Sequence, residues 1–291
     1  MKKSTLAVFS AVIAMVGIST SFASNKVVYG KDNRLDIYDV TDARLVEAAR
    51  STVALFQSGD VNEDSARGVS RLATSKFGTA MNLCSTERFF DQTIGAFCSG
   101  SLVAPDMIMT AGHCVTDDSS CADTKFVFDY SITDKNGVSP SEILSTSVYG
   151  CKKLIGRKQD GKGADYALVQ LDRAVTDRAP LQINRKNDLK KGTDIVVVGY
   201  PVGLPVKVSG GAQVRSLANG FFVANLDTYG GNSGSAVLNL NTGLVEGILV
   251  RGENDFVYQN GCRVSNVCSD TGCRGEDSTS VSALANMIPQ Q

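Results

Sequence analysis

One histidine serves the whole of this 291-residue chain, neither sign of charge is in excess, and no apolar run is long enough to cross a bilayer. Each shortage closes off a class of function. A single imidazole, with no Cys-x-x-Cys pair beside it, leaves no ligand set for zinc, so no metal site and no cofactor is expected. A net charge of −1, with lysines and arginines scattered among acids, removes support for nucleic acid binding. Heptads, internal repeats and low-complexity tracts are missing as well. The apolar run from Leu6 to Ile18 follows Met1-Lys2-Lys3 and precedes the small residues around Ser21-Phe22-Ala23. That arrangement reads as a signal peptide over residues 1–23, which implies a secreted or periplasmic protein without a stable membrane anchor.

What is present is turn-rich and strand-like. Short runs rich in Val, Ile and Phe cover Ser51 to Phe56, Ala96 to Val103, Met107 to Thr110, Lys125 to Phe128 and Tyr166 to Leu171. Others follow at Asp194 to Gly199, Gly220 to Ala224, Ser235 to Leu240 and Leu244 to Val250, with Gly, Asp, Asn or Ser clusters between them. This is the pattern of an all-β protein built as barrels or sandwiches. Residues 24–50 are polar and read as an N-terminal arm or propeptide, with a short helix over Asp39 to Arg50. Residues 51–291 form the main domain, with a crossover between two halves near residues 173–191 and a terminal helix from Val281 to Ile288, stopped by Pro289. Eight cysteines behind a secretion signal imply disulfides. Cys98 with Cys114, closing a short loop around His113, is the first pairing expected; Cys121 with Cys151 is the next.

The chemistry gathers in three places. His113 lies in Thr110-Ala111-Gly112-His113-Cys114, Asp165 in Ala164-Asp165-Tyr166-Ala167-Leu168, and Ser233 in Gly230-Gly231-Asn232-Ser233-Gly234-Ser235. A serine hydroxyl is a poor nucleophile and needs a base effective near neutral pH, which histidine supplies. The base needs a carboxylate to hold its tautomer and to stabilise the imidazolium. The developing oxyanion needs fixed donors, and the backbone N–H groups of Gly231 and Ser233 can provide them. With one imidazole in the chain, the acid limb of a rate profile is expected to be a single titration. The motif does not fit an α/β-hydrolase elbow, because the second residue after Ser233 is Ser235 rather than Gly. Ser99 and Ser235 read as strand and turn residues without a chemical role. Asp117, Asp118, Glu253 and Asp255 read as solvated loop acids, and the turns Gly210-Gly211 and Gly230-Gly231 precede no helix, against phosphate binding.

From about Ser51 to the C-terminus the chain resembles the trypsin-like serine endopeptidases. Gly231-Asn232-Ser233-Gly234-Ser235-Ala236-Val237, Val28-Tyr29-Gly30-Lys31-Asp32-Asn33-Arg34 and Gly199-Tyr200-Pro201-Val202-Gly203-Leu204-Pro205 look most like the bacterial branch that includes the glutamyl endopeptidases. The resemblance implies two six-stranded antiparallel β-barrels with the site in the cleft between them. His113 and Asp165 would come from the first barrel and Ser233 from the second. It also implies protein or peptide substrates and a specificity pocket around Asp227, Thr228, Val250, Arg251 and Gly252.

Three departures qualify that resemblance. Animal trypsins carry Asp before the serine to pair with a new N-terminal ammonium, whereas Asn232 is neutral here, so any removal of the segment up to about Lys26 must activate differently. Glutamyl endopeptidases bind the substrate carboxylate with a second histidine, and that position is Leu249. Asp227, six residues before Ser233, stands where trypsins place the acid of the pocket, which points to cleavage after Arg or Lys unless Arg251 pairs with it. The alternatives are a glutamate-preferring enzyme, an esterase on the same fold, and a catalytically silent binding or toxin-like module.

Overall fold

Strands form where apolar residues recur between turn-formers, and in the computed structural model, which describes residues 27–290, they close into two barrels. The signal peptide expected over residues 1–23 lies outside the described residues. The first barrel contains β1 (Thr52–Gln57), β2 (Cys98–Ala104), β3 (Met107–Thr110), β4 (Thr124–Val127), β5 (Val148–Gln159) and β6 (Asp165–Leu171). Its order is β4-β5-β6-β3-β2-β1, and β1 pairs back onto β4. The second contains β7 (Asp194–Gly199), β8 (Lys207–Ala218), β9 (Phe221–Ala224), β10 (Ala236–Asn239), β11 (Val245–Arg251) and β12 (Glu276–Ser280). Its order is β7-β10-β11-β12-β9-β8, closed by β7 on β8, with Arg34–Leu35 added along β8.

The two-residue period of a strand decides what each side chain packs against. In β7, Ile195 and Val197 point into the second barrel beside Phe222, Leu226 and Leu249. Val196 and Val198, one residue out of phase, join the large cluster that also holds Val53, Leu55, Leu102 and Ile108 of the first barrel. The barrels are therefore welded by a continuous apolar seam rather than tethered by a loop.

Met107–Thr110 and Asp194–Gly199 have the bounds that their composition predicts. Three long or central strands do not announce themselves. β5 is largely exposed and rich in Lys and Arg, β8 is interrupted by Gly210-Gly211, and β12 is the polar run Glu-Asp-Ser-Thr-Ser. The predicted helix over Asp39 to Arg50 is shorter, Ala43–Arg50, with Asp42 capping it by accepting from the Arg44 N–H. At the C-terminus, Val281–Ala283 and Ala285–Met287 are two 3-10 turns, separated by Leu284 at φ −128°. Residues 27–50 are built into the body: Val27, Val28 and Tyr29 are buried, and Val28–Tyr29 pairs in parallel with Val267–Cys268. The crossover from Arg173 to Lys191 contributes no barrel strand.

All eight cysteines are paired, as Cys84–Cys262, Cys98–Cys114, Cys121–Cys151 and Cys268–Cys273. Their sequence separations run from 5 for Cys268–Cys273 to 178 for Cys84–Cys262. By loop-closure entropy, replacing Cys84 and Cys262 with serine is expected to cost about 5 kcal/mol, against about 2 kcal/mol for Cys268 and Cys273. Chemical denaturation of the two double variants measures the order, and a larger loss at the short loop would refute the entropic account.

Candidate active site

The imidazole and the acid meet because β3 and β6 are neighbours. Thr110 pairs with Ala167, so the loop that follows β3 returns over the first residue of β6. His113 Nδ1 lies 2.8 Å from Asp165 Oδ2, and the His113 backbone N–H donates to Oδ1 at 3.1 Å. Both carboxylate oxygens thus serve one residue, which fixes the ring's plane as well as its position. A carboxylate facing Nδ1 keeps the proton there and leaves Nε2 as the basic nitrogen. Gly112 is required beside it, since a Cβ there would collide with the Lys158 carbonyl and crowd Asp165. The Asp165 side chain is 4% exposed and that of His113 27%, so the acid is shielded while the base remains reachable.

Asp165 is anchored from the other barrel. The Thr279 hydroxyl of β12 accepts from the Asp165 N–H at 2.9 Å and donates to its carbonyl at 3.0 Å. Arg251 also arrives from the second barrel, with Nη1 4.0 Å from Asp165 Oδ2, Nε 3.3 Å from Asp277 and Nη2 donating to the Gly163 carbonyl at 2.8 Å. The alternative in which Arg251 pairs with Asp227 does not occur; its guanidinium lies on the side that holds Asp165.

The backbone of Ser233 is held by the first barrel, beside the residue that follows His113. Its carbonyl accepts from the Ser99 N–H at 2.8 Å and lies 3.6 Å from Sγ of Cys114, the residue after the imidazole. The Ser99 hydroxyl donates to the Gly231 carbonyl at 2.8 Å and accepts from the Tyr200 N–H at 3.0 Å. Gly234 adopts φ +93° with Ser99 O so close that any Cβ would clash. Ser99, expected to be a strand residue without a chemical role, has a structural one as the tie between β2 and the loop carrying Ser233; only its neighbourhood in space reveals it. The Gly230 carbonyl accepts from the Val202 N–H at 2.5 Å, which turns the Gly231 N–H of the same trans peptide to the opposite side. Asn232 is buried and its side chain accepts from Ser235 Oγ, a local bond with no charged partner.

The pocket residues divide. Asp227 is buried, and each carboxylate oxygen accepts a backbone N–H from the N-terminal segment, Oδ1 from Tyr29 at 2.6 Å and Oδ2 from Asn33 at 2.8 Å. Burial pushes its carboxyl up to about 6, against the pull of those two N–H groups. Thr228 and Gly252 converge instead on Glu276, the first residue of β12. Thr228 Oγ1 donates to Glu276 Oε2 at 3.0 Å, and a Cβ on Gly252 would strike the Glu276 carboxylate. Val250 is fully buried in the seam. Leu249 lies in the second-barrel core. Cys98, His113 and Cys114 crowd together, but both sulfurs are consumed in their disulfide and offer no thiolate to a metal.

With this geometry in view, the profile of the family described as trypsin-like peptidase domain matches residues 98–248. A solved Glu endopeptidase, in complex with MPD, superposes with a TM-score of 0.52 at 19% identity, covering 90% of this chain and 97% of that one. At that identity the likeness establishes the shared fold. No curated protein matches the sequence. Ser99→Ala is expected to lower stability on the order of 1–3 kcal/mol, because it strands the Gly231 carbonyl and the Tyr200 N–H in a buried seam. Urea denaturation measures the loss; an unchanged midpoint would mean that the hydroxyl ties nothing.

Proposed function

From the premise that this chain belongs to the trypsin-like peptidases and is a serine endopeptidase, we propose that Ser233, His113 and Asp165 are its catalytic residues. Ser233 Oγ attacks the scissile carbonyl carbon while His113 Nε2 takes its proton. The negative charge moves to the carbonyl oxygen, where the N–H groups of Gly231 and Ser233 receive it. As the C–N bond breaks, the imidazolium returns that proton to the departing amine, leaving an acyl-enzyme. Water, deprotonated by the same Nε2, attacks the acyl carbon, and Ser233 leaves with the proton. Asp165 stays ionised throughout, holding the ring and stabilising its charged form. The observation that carries this reading is the pair of hydrogen bonds that the Asp165 carboxylate accepts from His113, beside a Ser233 loop pinned to β2.

At the cleaved bond the proposed preference is for Arg or Lys, with Glu276 in place of Asp227 as the acid of the pocket. Glu276 is buried and accepts from Thr228 Oγ1 at 3.0 Å and from the Glu253 N–H at 3.4 Å, so what favours a cationic side chain is its negative charge beside Thr228 and Gly252 rather than an open oxygen. A glutamate preference lacks its usual cation, since Leu249 is packed into an apolar core. The proposed location is outside the cytoplasm, with the chain processed before Val27.

A fluorophosphonate probe is expected to label the wild type, and Ser233→Ala to abolish labelling and lower kcat on the order of 10⁶-fold. An unlabelled, inactive wild type would instead mark a silent binding module, and cleavage of esters without amides an esterase. Mass spectrometry of the labelled, secreted protein reads its first residue in the same sample; a start at Ser24 with full activity would refute processing before Val27. In a panel of peptides differing only before the cleaved bond, Arg and Lys are expected to lead, and Glu276→Gln to lower kcat/KM for them on the order of 10-fold or more relative to neutral residues. Absence of cleavage after either base ends that preference.

A further inference from the structure

The loop that carries the nucleophile lacks the ammonium–aspartate pair by which animal trypsins order theirs, because Asn232 is neutral and its side chain bonds locally. Three consecutive residues at the start of that loop are gripped instead by the N-terminal segment. The Thr228 N–H donates to the Val27 carbonyl at 3.1 Å. The Asp227 carboxylate receives the Tyr29 and Asn33 N–H groups, one on each oxygen. Arg34, 1% exposed, stacks its guanidinium 3.8 Å from the Tyr229 ring centroid and donates to the Tyr229 hydroxyl at 2.8 Å. A fork of two bonds to Asp32 holds that guanidinium in place.

We propose that residues 27–34 act as a built-in activator that orders residues 227–233, with Asp227 as the positioning residue through which they act. The proposal rests on the peptidase reading above for its consequence, though not for its geometry. A carboxylate suits the task for a plain reason: it accepts on both oxygens, whereas an amide of the same shape must turn an N–H group toward one of two backbone donors. The contacts at Asp227, Thr228 and Tyr229 set where the chain enters the turn, and so where the Gly231 and Ser233 N–H groups point. On the reading above, substrate binding relies on Gly252 and Glu276, which lie outside residues 227–233. Loss of the clamp should therefore appear in the chemical step more than in binding.

The test is Asp227→Asn in the full secreted chain, with Arg34→Lys as a second variant that keeps the charge and loses the fork. Asp227→Asn is expected to lower kcat on the order of 100-fold per folded molecule, as small misplacements of reacting groups do, with KM changed little. Arg34→Lys should lower kcat in the same direction, and the double variant should lose less than the product of the two. Amide exchange at residues 228–234 should quicken in both variants while the first-barrel strands keep their protection. Wild-type kcat in both variants, a loss confined to KM, or unchanged exchange at 228–234 would each overturn the clamp. If the wild type proves inactive, the catalytic reading fails while the exchange measurement still decides whether the clamp exists.

Discussion

Everything at the cleft depends on hydrogen bonds that cross from one barrel to the backbone of the other. The Ser99 amide reaches the Ser233 carbonyl, the Ser99 hydroxyl reaches Gly231, and Thr279 of the second barrel closes on both backbone groups of Asp165 of the first. Each barrel thus fixes a proposed catalytic residue of the other. The apolar seam that includes Val53, Val196, Val198 and Ile248 provides most of the attraction between the halves, since burial of such surface contributes about 25 cal/mol per Å². The hydrogen bonds contribute less energy but decide the register. Apolar packing tolerates small slips; a carbonyl that has to meet one particular N–H does not.

The second barrel buries several charged side chains, among them Lys207, Glu246, Glu276 and Asp277, and the N-terminal segment adds Arg34 and Asp36. Arg34 is enclosed with Asp32 and Tyr229, and Lys207 reaches Asp36 at 2.6 Å with both side chains buried. Burial pushes the Lys207 ammonium down to about 8, which its contact with Asp36 opposes. Such pairs are seldom a source of net stability, because removing two ions from water costs about what their attraction returns. Their use is discrimination. A segment that buries a guanidinium has one place to sit, and here that place is against Tyr229, at the foot of the loop that carries Ser233.

The parts legible in the sequence were those where one chemical demand acts locally. Thr-Ala-Gly-His-Cys and Gly-Gly-Asn-Ser-Gly carry their meaning in residue types set close together, and a short β-branched apolar run between turn-formers marks strands such as Asp194–Gly199. Where a residue's role depends on a distant partner, the pattern is silent. Asp227 sits at a pocket position by spacing alone, yet the backbone of residues 29 and 33 claims it. Glu276 opens a strand with no apolar alternation at all, so neither strand nor acid stood out. Arg251 follows an apolar run and looked like a pocket wall, but its length lets it reach the opposite barrel.

The Cys84–Cys262 bridge has a topological consequence. Of the four disulfides it alone joins a residue before the crossover at 173–191 to a residue after it. A nick anywhere in that crossover would therefore leave two polypeptides in one covalent particle, identical in mass to the intact chain except for a water. Without a reductant the damage is invisible to a gel, and the severed halves stay at an effective concentration that favours their remaining assembled.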